Sequence, residues 1–168
     1  MLFRSGFFSA AGNFAVEKKS ETVKVLSGGT TSDVLVDMLT IGANGATAFA
    51  GVNGGTADKV GLELTNTNIA LLLATETAVA KRKWTTLQAS VASISVVGVD
   101  GLTASASDLA VEINKAAAGG SLIDYSAQAV TVKTGPTQTM DLTIAASKGA
   151  LMREIGRASC RARVYRSV

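Results

Sequence analysis

Apolar and polar residues alternate along most of the chain. Phe14 and Val16, then Val23 and Val25, place apolar side chains on one face, with Glu17, Lys18 and Lys24 between or beside them. A period of two is the signature of half-buried strands. Val34, Val36 and Met38 continue it against Asp33 and Asp37. Leu62 and Leu64, then Ala92, Ile94 and Val96, then Leu109, Val111 and Ile113 follow, and Val130 with Val132 and Met140 through Ile144 close the series. Turn material separates these runs: Ser27-Gly28-Gly29, Ala43-Asn44-Gly45, Val52-Asn53-Gly54-Gly55, Val99-Asp100-Gly101, Ala118-Gly119-Gly120 and Thr134-Gly135-Pro136. Asn-Gly and Asp-Gly pairs favour tight hairpins because both residues tolerate positive φ. The pattern predicts an all-β chain: an antiparallel meander of short strands in an open or superhelical sheet, with a β-sandwich or a β-solenoid as the alternatives.

Two segments fit a helix as well as a strand. Asp108 to Ala118 has an N-cap residue, Leu109 and Ile113 on one face and a glycine stop. Ile69 to Lys83 is rich in helix-forming Leu, Ala, Glu and Lys. An internal correspondence favours strand for the first. Gly51-Val52-Asn53-Gly54 recurs as Gly98-Val99-Asp100-Gly101, and Gly61 to Leu71 matches Gly101 to Val111 in apolar and polar placement. The unequal spacings describe a degenerate repeat of strand pairs rather than a strict period.

The ends change the composition. Glu154 to Val164 packs arginines together and shows no alternation. It resembles the translation of a common sequencing-library adapter, and Met1 to Ser5 resembles the end of the companion adapter. Residues 1–5 and 154–168 are therefore expected to be adapter-derived, with 6–153 the β-repeat fragment. The full chain has 16 Lys and Arg against 13 Asp and Glu, net +3. Without Arg4, Arg157, Arg161, Arg163, Arg166 and Glu154, 11 basic and 12 acidic residues remain, net −1. The basic balance is thus an end effect and does not point to nucleic acid. Cys160, the single cysteine, lies in the same tail and says nothing about redox compartment. What is left is rich in Ala, Gly, Ser, Thr and Val, which suits an extended exported protein. The longest apolar run, Ile69 to Ala74, is far short of the roughly 20 residues of a membrane helix, so no membrane span is expected. Met1 to Ala15 has too short and interrupted an apolar core for a signal peptide.

Phe49-Ala50-Gly51-Val52-Asn53-Gly54, Val60-Gly61-Leu62-Glu63-Leu64, Lys83-Trp84 leading into Leu87-Gln88-Ala89, and Val97 to Leu102 through Val111-Glu112-Ile113-Asn114 resemble a repeat unit of very large bacterial exported proteins of the calcium-binding or adhesin-like kind. Gly12 to Lys18 resembles its opening strand. The resemblance implies a structural or adhesive role outside the cell. Units of that family with an acidic loop after the Gly-Val-Asn-Gly turn would take calcium; here the loop is only Gly55-Thr56-Ala57-Asp58-Lys59.

Candidate chemistry is sparse. With no histidine, Ser-His-Asp and Cys-His arrangements and imidazole metal sites are excluded. The acids stand singly at solvent-face positions such as Glu17, Asp33, Asp37, Glu63 and Glu112, unlike the paired carboxylates of a glycosidase. Gly51 to Gly55 is not followed by the Gly-Lys-Ser/Thr of a phosphate loop. Trp84 beside Lys81-Arg82-Lys83 reads as a strand anchor next to a solvated loop, because stacking platforms for nucleic acids use several rings. Calcium is the inorganic candidate, with Asn53, Asp58, Asp100 and Asp108 in or near turns as its oxygen donors. The expected function is a non-catalytic structural or adhesive repeat module of a large secreted or cell-surface bacterial protein. Its partners would be neighbouring repeats of the parent chain, and surface glycans or proteins. The alternative is a calcium- or glycan-binding β module.

Overall fold

The computed structural model describes residues 2–4 and 7–162, so Met1, Ser5 and residues 163–168 of the expected adapter-derived ends, with Gly6 at the start of the expected repeat fragment, lie outside the described residues. The chain is all-β and contains no α-helix among them. β1 (Leu2–Arg4), β2 (Phe8–Ser27), β3 (Thr30–Val52), β4 (Val60–Glu76), β5 (Lys83–Val97) and β6 (Leu102–Lys115) run in sequence. β7 (Leu122–Ile123), β8 (Val130–Lys133), β9 (Thr139–Leu142) and β10 (Leu151–Ala162) complete the fold. The main sheet has the order β1-β2-β3-β4-β5-β6-β10, every pair antiparallel, with β7 added to β2; β8 and β9 form a second, two-stranded sheet. It is an open meander and does not close into a barrel.

The hairpin chemistry explains this topology. Gly28 and Gly29 have φ of 56° and 83°, the paired positive values of a two-residue turn whose twist matches the strands it joins. Asn53 and Gly55 turn β3 into β4, closed by hydrogen bonds from the Thr56 N–H and Oγ1 to the Asn53 carbonyl. Gly98 to Gly101 turns β5 into β6. Neither helix-compatible segment is helical: 69–76 closes β4 and is followed by the turn into β5, and 108–115 closes β6.

Three expectations need correction. The strands β2 to β6 are 20, 23, 17, 15 and 14 residues long, much longer than the separate apolar runs. Ala43-Asn44-Gly45 is not a hairpin but an irregularity inside β3, where the register to β4 shifts between Ala43 and Ala46. Finally, Phe14 and Val16 do not share a face with Val23 and Val25. β2 is continuous from Asn13 to Ser27 in register with β3, so even and odd positions there point to opposite sides.

One side, face A, carries the core. The segment between β6 and β10, with β7, β8 and β9, lies over face A at the end of the sheet where β2 turns into β3. Val23, Val25, Val36, Met38, Leu72 and Trp84 from the sheet meet Ile123, Tyr125, Val130, Val132, Leu142 and Ile144 from this cap. Each such large side chain contributes about 1.5–3 kcal/mol by leaving water. Polar bonds fix the cap's position. The Trp84 indole N–H donates to the Ser121 carbonyl at 3.0 Å, and Asn114 Nδ2 donates to the Ile123 carbonyl at 3.2 Å. Thr86 Oγ1 lies 2.6 Å from the Tyr125 hydroxyl. Burial pushes the Tyr125 phenol well above its ordinary pKa, against the opposing pull of the Thr86 hydrogen bond. Gly42 lets the cap come close: a Cβ there would stand 2.1 Å from the Lys133 carbonyl oxygen.

Carboxylates lock the cap's margins. Burial pushes the Asp124 carboxyl upward, but hydrogen bonds from Ser126 Oγ and from the backbone N–H groups of Ala146, Ser126 and Ala127 outweigh it and leave the pKa lowered. The Lys133 ammonium, 2.6 Å from Glu17, lowers the Glu17 pKa despite partial desolvation. Both groups therefore bind protons less readily folded than unfolded, and their contribution is complete above the ordinary carboxylate range, about pH 4. It is lost as pH falls through the lowered folded values. The urea midpoint is expected to be flat above about pH 5 and to drop below about pH 4. In Asp124→Asn the acid-side drop should be shallower; equal slopes would show that Asp124 is not a linked group.

Candidate functional site

The calcium candidates fall in two places. Asn53 and Asp58 lie in the β3–β4 turn, where Asn53 Nδ2 donates to the Asp58 carbonyl at 3.4 Å. Asp100 lies in the β5–β6 turn at the same end of the sheet. The two turns touch, since a Cβ on Gly98 would stand 2.0 Å from the Lys59 carbonyl oxygen. Asp108 is separate, well inside β6. No group of three or more His, Cys, Asp or Glu side chains suited to a metal ion comes together among the described residues.

Asp108 belongs to a line of kinks across the sheet. It has φ of 53°, and Asn66 in β4 has φ of 48°. The registers leave Ala92 of β5 between the two, unpaired on either side. On the same line β2 shifts register between Ala11 and Asn13, β3 between Ala43 and Ala46, and β10 between Ile155 and Arg157. Asn and Asp are the non-glycine residues that tolerate left-handed backbone best. Side-chain amides brace the line: Asn44 Nδ2 and the Gly45 N–H both donate to Asn68 Oδ1, at 3.1 and 3.0 Å. The oxygen-bearing side chains here thus serve the bend of the backbone.

The kink line also divides the sheet chemically. β5 carries no positive φ, so its alternation can be followed through. On the capped half, face B, opposite the cap, bears Leu87 and Ala89; beyond the kinks the same face bears Ser93 and Ser95, while Ile94 and Val96 lie on face A. Direct cross-strand partners share a face, so Thr65, Ser93, Ser107 and Arg157 form one polar row of face B. Leu62, Val96, Ala104 and Cys160 form an apolar row of face A and, with Ile94 and Ala106, line a shallow groove of about 360 Å³. The capped half is thus apolar on both faces, and beyond the kinks β4 to β6 keep their apolar rows on face A alone.

The largest feature is the uncovered face B of the capped half. Val16, Ile41, Leu71, Leu87, Ile113 and Met152 are successive cross-strand partners over six strands. Val16 is 69% exposed and Met152 82%. The rows beside it, Phe14-Ala43-Ile69-Ala89-Val111 and Leu39-Leu73-Thr85, are uncharged over these strands and end in charge, the first at Glu154 and the second at Lys18 and Lys115. The sequence held one signal of this: Ile69 to Ala74 is apolar at both parities, the mark of a strand with two apolar faces.

Elsewhere the chemistry is structural. Arg82 donates from Nε and Nη2 to the two Glu76 oxygens at 2.8 Å, and its guanidinium sits 5.2 Å from the Trp84 ring centroid. Trp84 is the anchor of β5, as its place in the sequence implied, and Arg82 covers its ring. β10 continues from Arg153 into Glu154 as one strand beside β6. No helix among the described residues is long and apolar enough to cross a membrane. No family model, curated protein or solved structure matches the chain, so its reading rests on this geometry.

Proposed function

We propose that the chain is a non-catalytic structural or adhesive repeat module of a large secreted or cell-surface bacterial protein, packed in its parent against neighbouring units. The carrying observation is the six-strand apolar row on face B, which no part of the described chain covers. A sheet that builds one core under its cap and offers a second apolar face is suited to stacking in series, where each unit completes its neighbour's burial. The flanking DNA tests this directly. The reading frame should run on into further units with the Gly-Val-Asn/Asp-Gly turn; stop codons immediately on both sides would overturn the reading.

A calcium-binding module is the second reading, favoured by the meeting of the Asn53–Asp58 turn with the Asp100 turn. Titration of the chain with calcium chloride separates the two. A structural module gives no binding heat and an unchanged thermal midpoint. Saturable heat that disappears in both Asp58→Asn and Asp100→Asn would establish the calcium reading instead.

A further inference from the structure

We infer that face B of the capped half is an isologous interface on which a second copy of this chain seats its own face B, making a two-sheet sandwich of the pair. With strands about 4.8 Å apart and same-face residues about 6.8 Å apart along each strand, the fourteen uncharged positions of the three rows cover about 460 Å². That is within the range of the largest apolar patch on ordinary monomers, about 300–600 Å², a patch that is often functional. It is more than half of the roughly 800 Å² of accessible surface that each partner of a stable complex buries, and the polar rim adds to it.

The pattern of charge selects the occupant. The middle of the patch is uncharged, and the charges sit at its rim with both signs: Lys18, Lys83 and Lys115 against Asp37 and Glu154. A mixed rim can complement itself in a two-fold pair, where the same surface serves both partners. In the row beside the central one, small and large side chains alternate, with Ala43 beside Ile69 and Ile69 beside Ala89. Such a surface can interdigitate with itself across the roughly 10 Å between packed sheets. Edge pairing is the competing route, and β2 opposes it. Its outer side has no strand beside it from Asn13 to Lys24 among the described residues, but that stretch carries Glu17, Lys18, Lys19, Glu21 and Lys24, charges that discourage edge-to-edge addition. Pairing through face B rests on the proposal above that a like unit covers this face, and makes that unit a two-fold copy; sedimentation tests the copy, the flanking DNA the repeat.

Sedimentation equilibrium of the full chain, up to millimolar concentration, tests this. The wild type should approach twice the monomer mass, Ile41→Lys should remain monomeric with an unchanged β circular-dichroism spectrum, and Leu62→Lys, on the opposite face, should still dimerise. If Ile41→Lys does not fold, Val16→Lys, at the exposed end of the same row, is read in its place. A wild type that stays monomeric at every concentration overturns the inference. So does a folded Ile41→Lys or Val16→Lys that dimerises as the wild type does, which would move the contact to an edge.

Discussion

Replacing Trp84 with alanine is expected to lower the unfolding free energy by about 3–5 kcal/mol, the range for emptying a large aromatic site in a packed core. Trp84 is 2% exposed and stands where β5 starts, under the cap. Its loss removes ring contacts in the cluster shared with Ile123 and Tyr125, and it removes the N–H donor to the Ser121 carbonyl. It also takes away the surface on which the Arg82 guanidinium lies. Urea denaturation followed by circular dichroism measures the effect. Trp84→Phe separates the causes: it keeps much of the volume and removes only the indole hydrogen bond, worth about 0.5–1.5 kcal/mol, because the Ser121 carbonyl still accepts from the Ala117 N–H at 2.9 Å. A loss below 1 kcal/mol in Trp84→Ala would mean that the cap does not depend on this anchor.

Gly42→Val should destabilise the chain by about 3 kcal/mol, the upper end of what overpacking costs, and by a different route. The atom that a Cβ would strike is the Lys133 carbonyl oxygen, part of the β8 backbone, with Thr134 Cα close behind. No rotamer change relieves such an overlap; β8 itself must rise. The main sheet, whose hairpins do not involve Gly42 in any turn, should persist. The distinguishing readout is therefore a retained far-ultraviolet β spectrum with a loss of the near-ultraviolet signal of Trp84 and Tyr125. A crystal structure of the variant with β8 unmoved would refute the account of Gly42 as a close-approach site.

Much of the meander was legible in the sequence because its determinants are local. Gly28-Gly29 and Asn53 to Gly55 carry the conformations their turns demand, and Val34-Val36-Met38 against Asp33 and Asp37 gives the pleat directly. What the residues hid depends on continuity and distance. The polar stretch from Glu17 to Thr22 conceals that Phe14 and Val25 belong to one strand, and a strand of that length reverses the face on which each apolar run appears. Ala43-Asn44-Gly45 has the composition of a turn, yet the chain on either side continues in the same direction, so the same conformational freedom produces a bulge. Asp108 offers a calcium-type oxygen donor in the sequence, and only the backbone reveals the positive φ that puts it in the kink line. Where the cap sits could not be read locally at all, because β7 and β8 meet residues far away in the chain. The candidate surface was legible only as the doubly apolar run in β4, with the width of the row supplied by the registers of five neighbouring strands.

The pairing of β7 with β2 bears on how the chain folds. Each hairpin of the meander joins neighbours in sequence, so its loop closes quickly and at little entropic cost. Val25 meets Ile123 and Leu26 meets Leu122, partners separated by nearly the whole length of the meander. That contact gains nothing until the intervening strands are in place, and contacts of such high sequence separation slow folding. On these terms the hairpins are expected to zip first and the cap to dock last, an order that pulsed hydrogen exchange would show. Throughout the interval the Val23-Val36-Leu72 surface stands as bare to solvent as face B does in the finished fold, and the newly made sheet passes through a stage with both sides adhesive.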